Sequence, residues 1–193
     1  MFNIYYDYFL LKIVIPLLTN YTIVKKISEE EIRQKVLAIA HDLTKDYQDQ
    51  EPVLIGVLNG VFIFFADLVR EITFAHTIDF VRLASYGSRN TSSGTVVLTK
   101  DVELSIQGKH VIVVEDIIDT GLTLSHLVRH LERKGPESVR ICTLINKLER
   151  REKAVHIDYC GFELEGGFVV GYGLDYNEQF RNLPYILSLD IST

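Results

Sequence analysis

No block of lysine and arginine occurs in this 193-residue sequence, whose formal net charge is -6. A general electrostatic attraction to nucleic acid or to an anionic membrane is therefore not expected, and any anionic ligand must be held locally. Cysteine is scarce. Cys142 and Cys160 stand in apolar, strand-like sequence with no CxxC pair and no histidine at metal spacing, which reads as two buried reduced thiols suited to a reducing cytoplasm. Low-complexity tracts and repeats at solenoid or propeller spacing are missing too, so the fold must be read from local pattern. With 47% hydrophobic and 24% charged residues, the chain has the composition of a globular protein, not a disordered one. Its length suits one domain with a sizeable core and room for a small appended subdomain.

An uninterrupted apolar run long enough to span a bilayer is also lacking at the start of the chain. Tyr8 to Leu18 is apolar, but Lys12 and Pro16 interrupt it, and neither a basic leader nor a small-residue cleavage site accompanies it. Residues 1–21 are expected to be a non-structural extension, such as one from an early start codon; an added strand or an oligomer contact is the alternative.

What is present is a regular alternation of strand and helix signals. Ser28 followed three residues later by Glu31 is a capping box, and Ile32, Val36, Ile39, Ala40 and Leu43 recur at helical spacing to about Asp46. Pro52 stops that pattern. Val53 to Leu58 is a continuous apolar run of the kind found in strands buried on both faces, and Asn59 and Gly60 turn it into a helix from Val61 to Ile72. Ile78 to Ala84 reads as a strand, Ser85 to Gly94 as a polar loop, and Val96 to Thr99 as a further strand. His110 to Val114 is a β-branched run that stops at two acids. A helix from Thr123 to Lys134 ends at Gly135 and Pro136, and Val139 to Ile145 is a strand ending at Asn146 and Lys147. This alternation predicts an α/β fold with a mostly parallel central sheet flanked by helices, and such sheets bind ligands at the C-terminal ends of their strands.

The segment Val111 to Leu124, VIVVEDIIDTGLTL, carries the chemistry. Asp119, Thr120, Gly121, Leu122 and Thr123 can wrap backbone N–H groups around an anion at a helix N-terminus, with two threonine hydroxyls as further donors. Gly121 allows the backbone to come close to a phosphate. Glu115 and Asp116 cannot favour that phosphate, so ribose hydroxyls or a hydrated divalent cation are their natural partners. The plainer alternative is a strand end with solvated acids and a helix cap at Asp119 or Thr120.

At these residues the chain resembles the phosphoribosyltransferase family, whose signature is an apolar strand, two acids and a DTG turn. LNGVFIFFADL from Leu58, the SYG of Ser85 to Gly87, and FVVGYGLDYNEQFRNLPYI from Phe168 extend the resemblance to the hypoxanthine-guanine branch, over roughly residues 50 to 187. The resemblance implies the type I phosphoribosyltransferase fold, with a small hood subdomain built from the chain ends. Its domain would run over residues 22–193, the hood coming mainly from about 150–193.

The same resemblance implies roles. The 5'-phosphate of phosphoribosyl pyrophosphate would lie on the turn Asp119 to Thr123, with Glu115 and Asp116 at the ribose hydroxyls. Asp119 would exchange a proton with N7 of the purine, while also being placed to cap the following helix. Lys147 would donate to the 6-oxo group and so exclude adenine, Phe168 would stack on the base, and Val169 and the backbone of Asp175 would read it. Magnesium would be held by Glu115, Asp116 and Asp175. Leu58, Asn59 and Gly60, in an unusual peptide geometry, and Arg181 would bind pyrophosphate. Relatives often carry lysine at the place of Asn59; the asparagine offers no such cation, although backbone binding survives the change. Ser85 and Tyr86 would open a loop that closes over the site and excludes water. The implied activity is purine salvage in the cytoplasm by a homo-oligomer, a dimer or tetramer, acting on hypoxanthine, guanine or xanthine. A nucleotide-sensing regulator that binds RNA or DNA through the same sugar-phosphate nest is the competing class; the acidic net charge counts against it.

Overall fold

Ser28 initiates the first helix as its capping box predicts. In a computed structural model describing residues 21–86 and 95–191, the helix α1 (Glu29–Tyr47) begins with Ser28 Oγ accepting from Glu31 N–H and Ser28 N–H donating to Glu31 at 2.8 Å. The expected apolar positions, Ile32 to Leu43, are buried along one face.

The apolar runs become a six-stranded sheet. Strands β2 (Val53–Leu58), β3 (Thr77–Tyr86), β4 (Thr95–Lys100), β5 (His110–Ile118), β6 (Ser138–Lys147) and β7 (Tyr159–Leu164) lie in the order β4-β3-β2-β5-β6-β7. Every pairing is parallel except β3 with β4. Adjacent residues on a strand point to opposite faces, and here both faces are covered. Leu54, Ile112, Val114, Cys142 and Leu144 pack with α1 and with α2 (Phe62–Glu71). Val53, Ile55, Val57, Val111, Val113 and Ile141 pack with Leu124, Leu127 and Leu131 of α3 (Leu122–Glu132). Burial on both faces is why these strands read as unbroken aliphatic runs rather than as alternation.

A second sheet caps the strand ends. It is antiparallel, in the order β1-β9-β8, and joins β1 (Tyr21–Ile27) to β8 (Phe168–Val170) and β9 (Ile186–Ile191). Val170, Phe180, Leu183, Tyr185, Leu187 and Leu189 form its own apolar cluster. It leans on the β2-α2 turn, and Tyr172 donates to Asp67 of α2 at 2.5 Å.

Several expectations need correction. The strand carrying the two acids does not stop at them: β5 continues to Ile118, because Ile117 and Ile118 pair with Ile145 and Asn146 of β6. Its pairing with β2 ends at Val114, so residues 115–118 are supported on one side only. The hood does not begin near residue 150, since β7 belongs to the large sheet through its parallel pairing with β6. Tyr21, assigned to the extension, already opens β1. Cys160 is exposed, on the edge strand β7, whereas Cys142 is buried. The rest of the extension and residues 87–94 of the polar loop lie outside the described residues. Among the described residues no helix is long and apolar enough to cross a membrane.

Candidate active site

Where β5 outruns β2, a cleft opens between the large sheet and the hood. Two contiguous cavities occupy it. One, about 280 Å³, is lined by Glu115, Asp116, Asp119, Thr120, Gly121 and Thr123. The other, about 410 Å³, is lined by Leu58, Asn59, Gly60, Asp116, Asp119, Lys147, Phe168, Val169, Asp175 and Arg181. Leu58, Asp116 and Asp119 line both. Among the residues expected to touch phosphate, sugar, base or metal, Leu122 is the one outside both linings: it begins α3, and its N–H donates to Thr120 Oγ1 at 3.3 Å. Ser85 and Tyr86 end β3.

The turn from Asp119 to Thr123 is shaped by Gly121. It takes the N-cap position of α3 at a left-handed φ of 79°, with no side-chain cap. Asp119 therefore does not cap the helix, contrary to one of its expected roles. A side chain at 121 would meet more than a ligand: its Cβ would stand 2.5 Å from the carbonyl of Lys153. That chain segment is held against the turn by two bonds to the Thr120 carbonyl, from the N–H groups of Glu152 at 3.0 Å and Lys153 at 2.9 Å.

The acids differ in setting. Asp116 is buried and Glu115 half-buried. Burial raises the carboxyl pKa of both above the usual range, and for Glu115 the neighbouring Asp116 charge raises it further. Both carboxyls are therefore protonated more readily here than in water. Asp119 Oδ1 is buried and has no hydrogen-bond partner. Its nearest cations are Lys147 at 3.7 Å and, for Oδ2, Arg150 at 3.7 Å. A buried carboxylate oxygen without a donor is costly unless a ligand supplies one.

Across the cleft, Phe168 is 37% exposed, a large apolar side chain left open on a hood strand, with the Tyr176 ring edge-on at 5.5 Å between centroids. Val169 is buried and paired with Ser188 of β9. Arg181 binds Asp175 at 2.8 Å, the Gly173 carbonyl at 2.8 Å and Glu178 at 2.9 Å. The Leu58–Asn59 peptide is cis, which matches the unusual geometry expected of that turn.

Glu115, Asp116 and Asp175 do not converge into a cage: no group of three His, Cys, Asp or Glu among the described residues could hold a metal ion. Asp175 is instead tied to Arg181 and accepts from Glu178 N–H at 2.8 Å. The three residues expected at the metal nonetheless offer only carboxylate oxygens, and all three line the cleft. That chemistry fits a hard cation such as Mg²⁺, which is usually bound by one or two carboxylates together with substrate phosphates.

The hood meets the β2-α2 turn through two glycines. Gly173 has φ 96°, and a Cβ there would lie 2.0 Å from the Gly60 carbonyl; a Cβ on Gly60 would lie 1.8 Å from Asp116 Oδ2. Gly173→Ala is expected to cost about 2–4 kcal/mol through strain and displacement of the Gly60 turn. Urea unfolding checks the stability loss. Retention of wild-type stability would mean that this contact yields freely.

Sequence reasoning passed over three arginines. Arg82 lines the larger cavity, Arg150 faces Asp119, and Arg151 bonds the turn from behind. Two adjacent arginines three and four residues past Lys147 were the available signal.

Comparison with known proteins shows the family of the chain. A family model described as "Phosphoribosyl transferase domain" matches residues 24–177. The chain is 47% identical over 160 residues to the hypoxanthine-guanine phosphoribosyltransferase of Bacillus subtilis, covering 83% of this chain and 89% of that protein. It is 42% identical over 169 residues to the hypoxanthine phosphoribosyltransferase of Escherichia coli K12, covering 86% and 95%. A crystal structure of a hypoxanthine-guanine phosphoribosyltransferase from Bacillus anthracis superposes with a TM-score of 0.82 at 45% identity, over 86% of this chain and 99% of that one.

Proposed function

We propose, since this chain belongs to the phosphoribosyltransferase family, that it is a purine salvage enzyme. It transfers the 5-phosphoribosyl group of phosphoribosyl pyrophosphate to hypoxanthine or guanine, giving IMP or GMP and pyrophosphate. The observation that carries this reading is Asp119 Oδ1, which has no hydrogen-bond partner, 3.7 Å from the Lys147 ammonium in the cavity that the exposed Phe168 also lines. A base stacked on Phe168 would present its N7 and its 6-oxo group, neighbours on one edge, to a proton acceptor and a donor.

In this reading the turn from Asp119 to Thr123 holds the 5'-phosphate, by N–H groups and hydroxyls that need no cation. Glu115 and Asp116 hold the ribose 2' and 3' hydroxyls. Leu58, Asn59 and Gly60 bind pyrophosphate through their backbone, and Arg181 balances charge growing on it as it departs. Asp119 accepts the proton from N7 as the bond to the ribosyl carbon forms, and returns it in the reverse direction. Lys147 donates to the 6-oxo oxygen; the 6-amino group of adenine would oppose one donor to another. Val169 and the backbone of Asp175 read the rest of the base. Glu115, Asp116 and Asp175 would offer carboxylate oxygens to Mg²⁺ alongside substrate oxygens, and the ion would supply neutralisation of the pyrophosphate charge. Ser85 and Tyr86 lead into the segment that would close over the cleft and keep water from the ribosyl centre.

From Tyr21 onward the chain works as one catalytic domain with its hood, in the cytoplasm, as a homo-oligomer. The nucleotide-sensing alternative finds no support among relatives named as transferases. A spectrophotometric assay of the purified chain with phosphoribosyl pyrophosphate, Mg²⁺ and hypoxanthine, guanine, xanthine or adenine in turn tests the proposal. Turnover of hypoxanthine or guanine is expected, and its absence for both would overturn it.

A further inference from the structure

Arg151 stands outside both cavities, yet its guanidinium joins the ends of the two strands that deliver the base-reading side chains. Nε donates to the Asp119 carbonyl at 2.8 Å. Nη2 is shared among the carbonyls of Ile118 and Lys147, both at 3.1 Å, and Asn146 Oδ1 at 2.5 Å. Among the described residues no carboxylate lies within ion-pair distance of it, so its charge is spent on the carbonyl groups gathered where β5 and β6 end. Two of those carbonyls belong to Asp119 and Lys147 themselves.

We infer that Arg151 is a positioning residue for the purine: one guanidinium, bonded to the backbone of both Asp119 and Lys147, sets the spacing between the group that meets N7 and the group that meets the 6-oxo oxygen. The inference rests on the purine transfer proposed above. N7 and the 6-oxo oxygen are held at a fixed separation by the fused ring, so the two protein groups must match that separation. The strand register, which pairs Ile118 with Asn146, brings Asp119 and Lys147 side by side, but the pairing stops there and the chain beyond Ile118 leaves β5, so the final spacing of the two groups is left to contacts past the sheet. A planar fork with several donors can span both ends; a lysine ammonium at the same place reaches as a point and cannot hold the same geometry. The phosphate turn has anchors of its own, from Glu152 and Lys153 N–H to the Thr120 carbonyl and from Leu122 N–H to Thr120 Oγ1. Loss of the guanidinium should therefore disturb the base more than the sugar phosphate.

Steady-state kinetics of Arg151→Met and Arg151→Lys, with each substrate varied in turn, test the assignment. For Arg151→Met, kcat/KM for hypoxanthine is expected to fall about 10²-fold, the scale of a small misplacement of reacting groups, with KM for phosphoribosyl pyrophosphate within about 3-fold of wild type. Arg151→Lys keeps the charge and is expected to recover only part of the loss. A double-mutant cycle with Lys147→Met adds a readout that general destabilisation would not move: Arg151→Met should cost much less in that background, because one of the two groups it positions is already gone. Should Arg151→Met not fold, Arg151→Lys carries the same comparison. Equal losses toward both substrates, additive effects in the cycle, or full activity in Arg151→Lys would overturn the assignment while leaving the proposed reaction standing. A wild-type chain inactive on both purines would overturn the reaction, and this assignment with it.

Discussion

Replacing Asp119 by asparagine is expected to lower kcat by roughly 10²–10⁴-fold, the usual range for removing a positioned general base. Asparagine has nearly the same shape, so binding of phosphoribosyl pyrophosphate to the turn should persist, and its KM should change little. Stability should not fall with activity. Asp119 caps nothing, since Gly121 holds the N-cap position, and its Oδ1 has no hydrogen-bond partner to lose. The asparagine does remove a charge 3.7 Å from Lys147, but that pair is beyond hydrogen-bond length and its contribution is correspondingly modest. Thermal unfolding beside steady-state kinetics checks both parts. A variant that loses its melting transition along with its turnover would show that the carboxylate is structural, and one with near-normal kcat would remove Asp119 from the chemistry.

Glu115→Gln is expected to move activity and stability in opposite directions. Burial raises both carboxyls of the Glu115–Asp116 pair, and the Asp116 charge adds to the effect on Glu115. A folded-state pKa above the unfolded one, which lies near ~4, means that the folded chain binds protons more tightly. The pair therefore destabilises the fold progressively as pH rises from the unfolded value through the raised folded value, and contributes no penalty below about pH 4. Neutralising one member should relieve that penalty. In the absence of Mg²⁺ and substrate, Glu115→Gln is expected to gain about 1–2 kcal/mol at neutral or higher pH, the size of gain common at strained functional positions. For a chain of this length that is roughly 2–8 °C in Tm, and the gain should vanish toward pH 4. Meanwhile kcat/KM for phosphoribosyl pyrophosphate should fall, because a ribose hydroxyl loses a charged acceptor. Thermal melts across pH, with kinetics at one pH, check the pair of effects. A variant less stable than wild type at pH 8 would contradict the reading that burial penalises the charged pair.

These two expectations also mark where reading the chain one-dimensionally succeeds and where it stops. Local rules acted locally. The Ser28–Glu31 box, the aliphatic runs of β2, β5 and β6, and the Gly135–Pro136 stop describe hydrogen bonds and burial within a few residues, so they are written in adjacent letters. The acids and DTG turn between Glu115 and Thr123 are likewise contiguous, and their place on the cleft follows from one strand meeting one helix. The extent of β5 past its acids was not readable, because what prolongs it is pairing with β6, a partner more than twenty residues away.

From its own letters, then, the chain determined a doubly covered, mostly parallel sheet and a DTG turn into a helix after its central strand, since periodicity and turn chemistry are short-range properties. Tertiary packing alone decided that Asp119 and Lys147 face each other, that Gly173 seats the hood on Gly60, and that β1 pairs with β9 across nearly the whole length of the chain. Those contacts join segments whose separation carries no periodic signal. Arg151 shows the difference most plainly: as a letter it is one cation in a polar turn, and only the fold aims it at four acceptors on two strand ends.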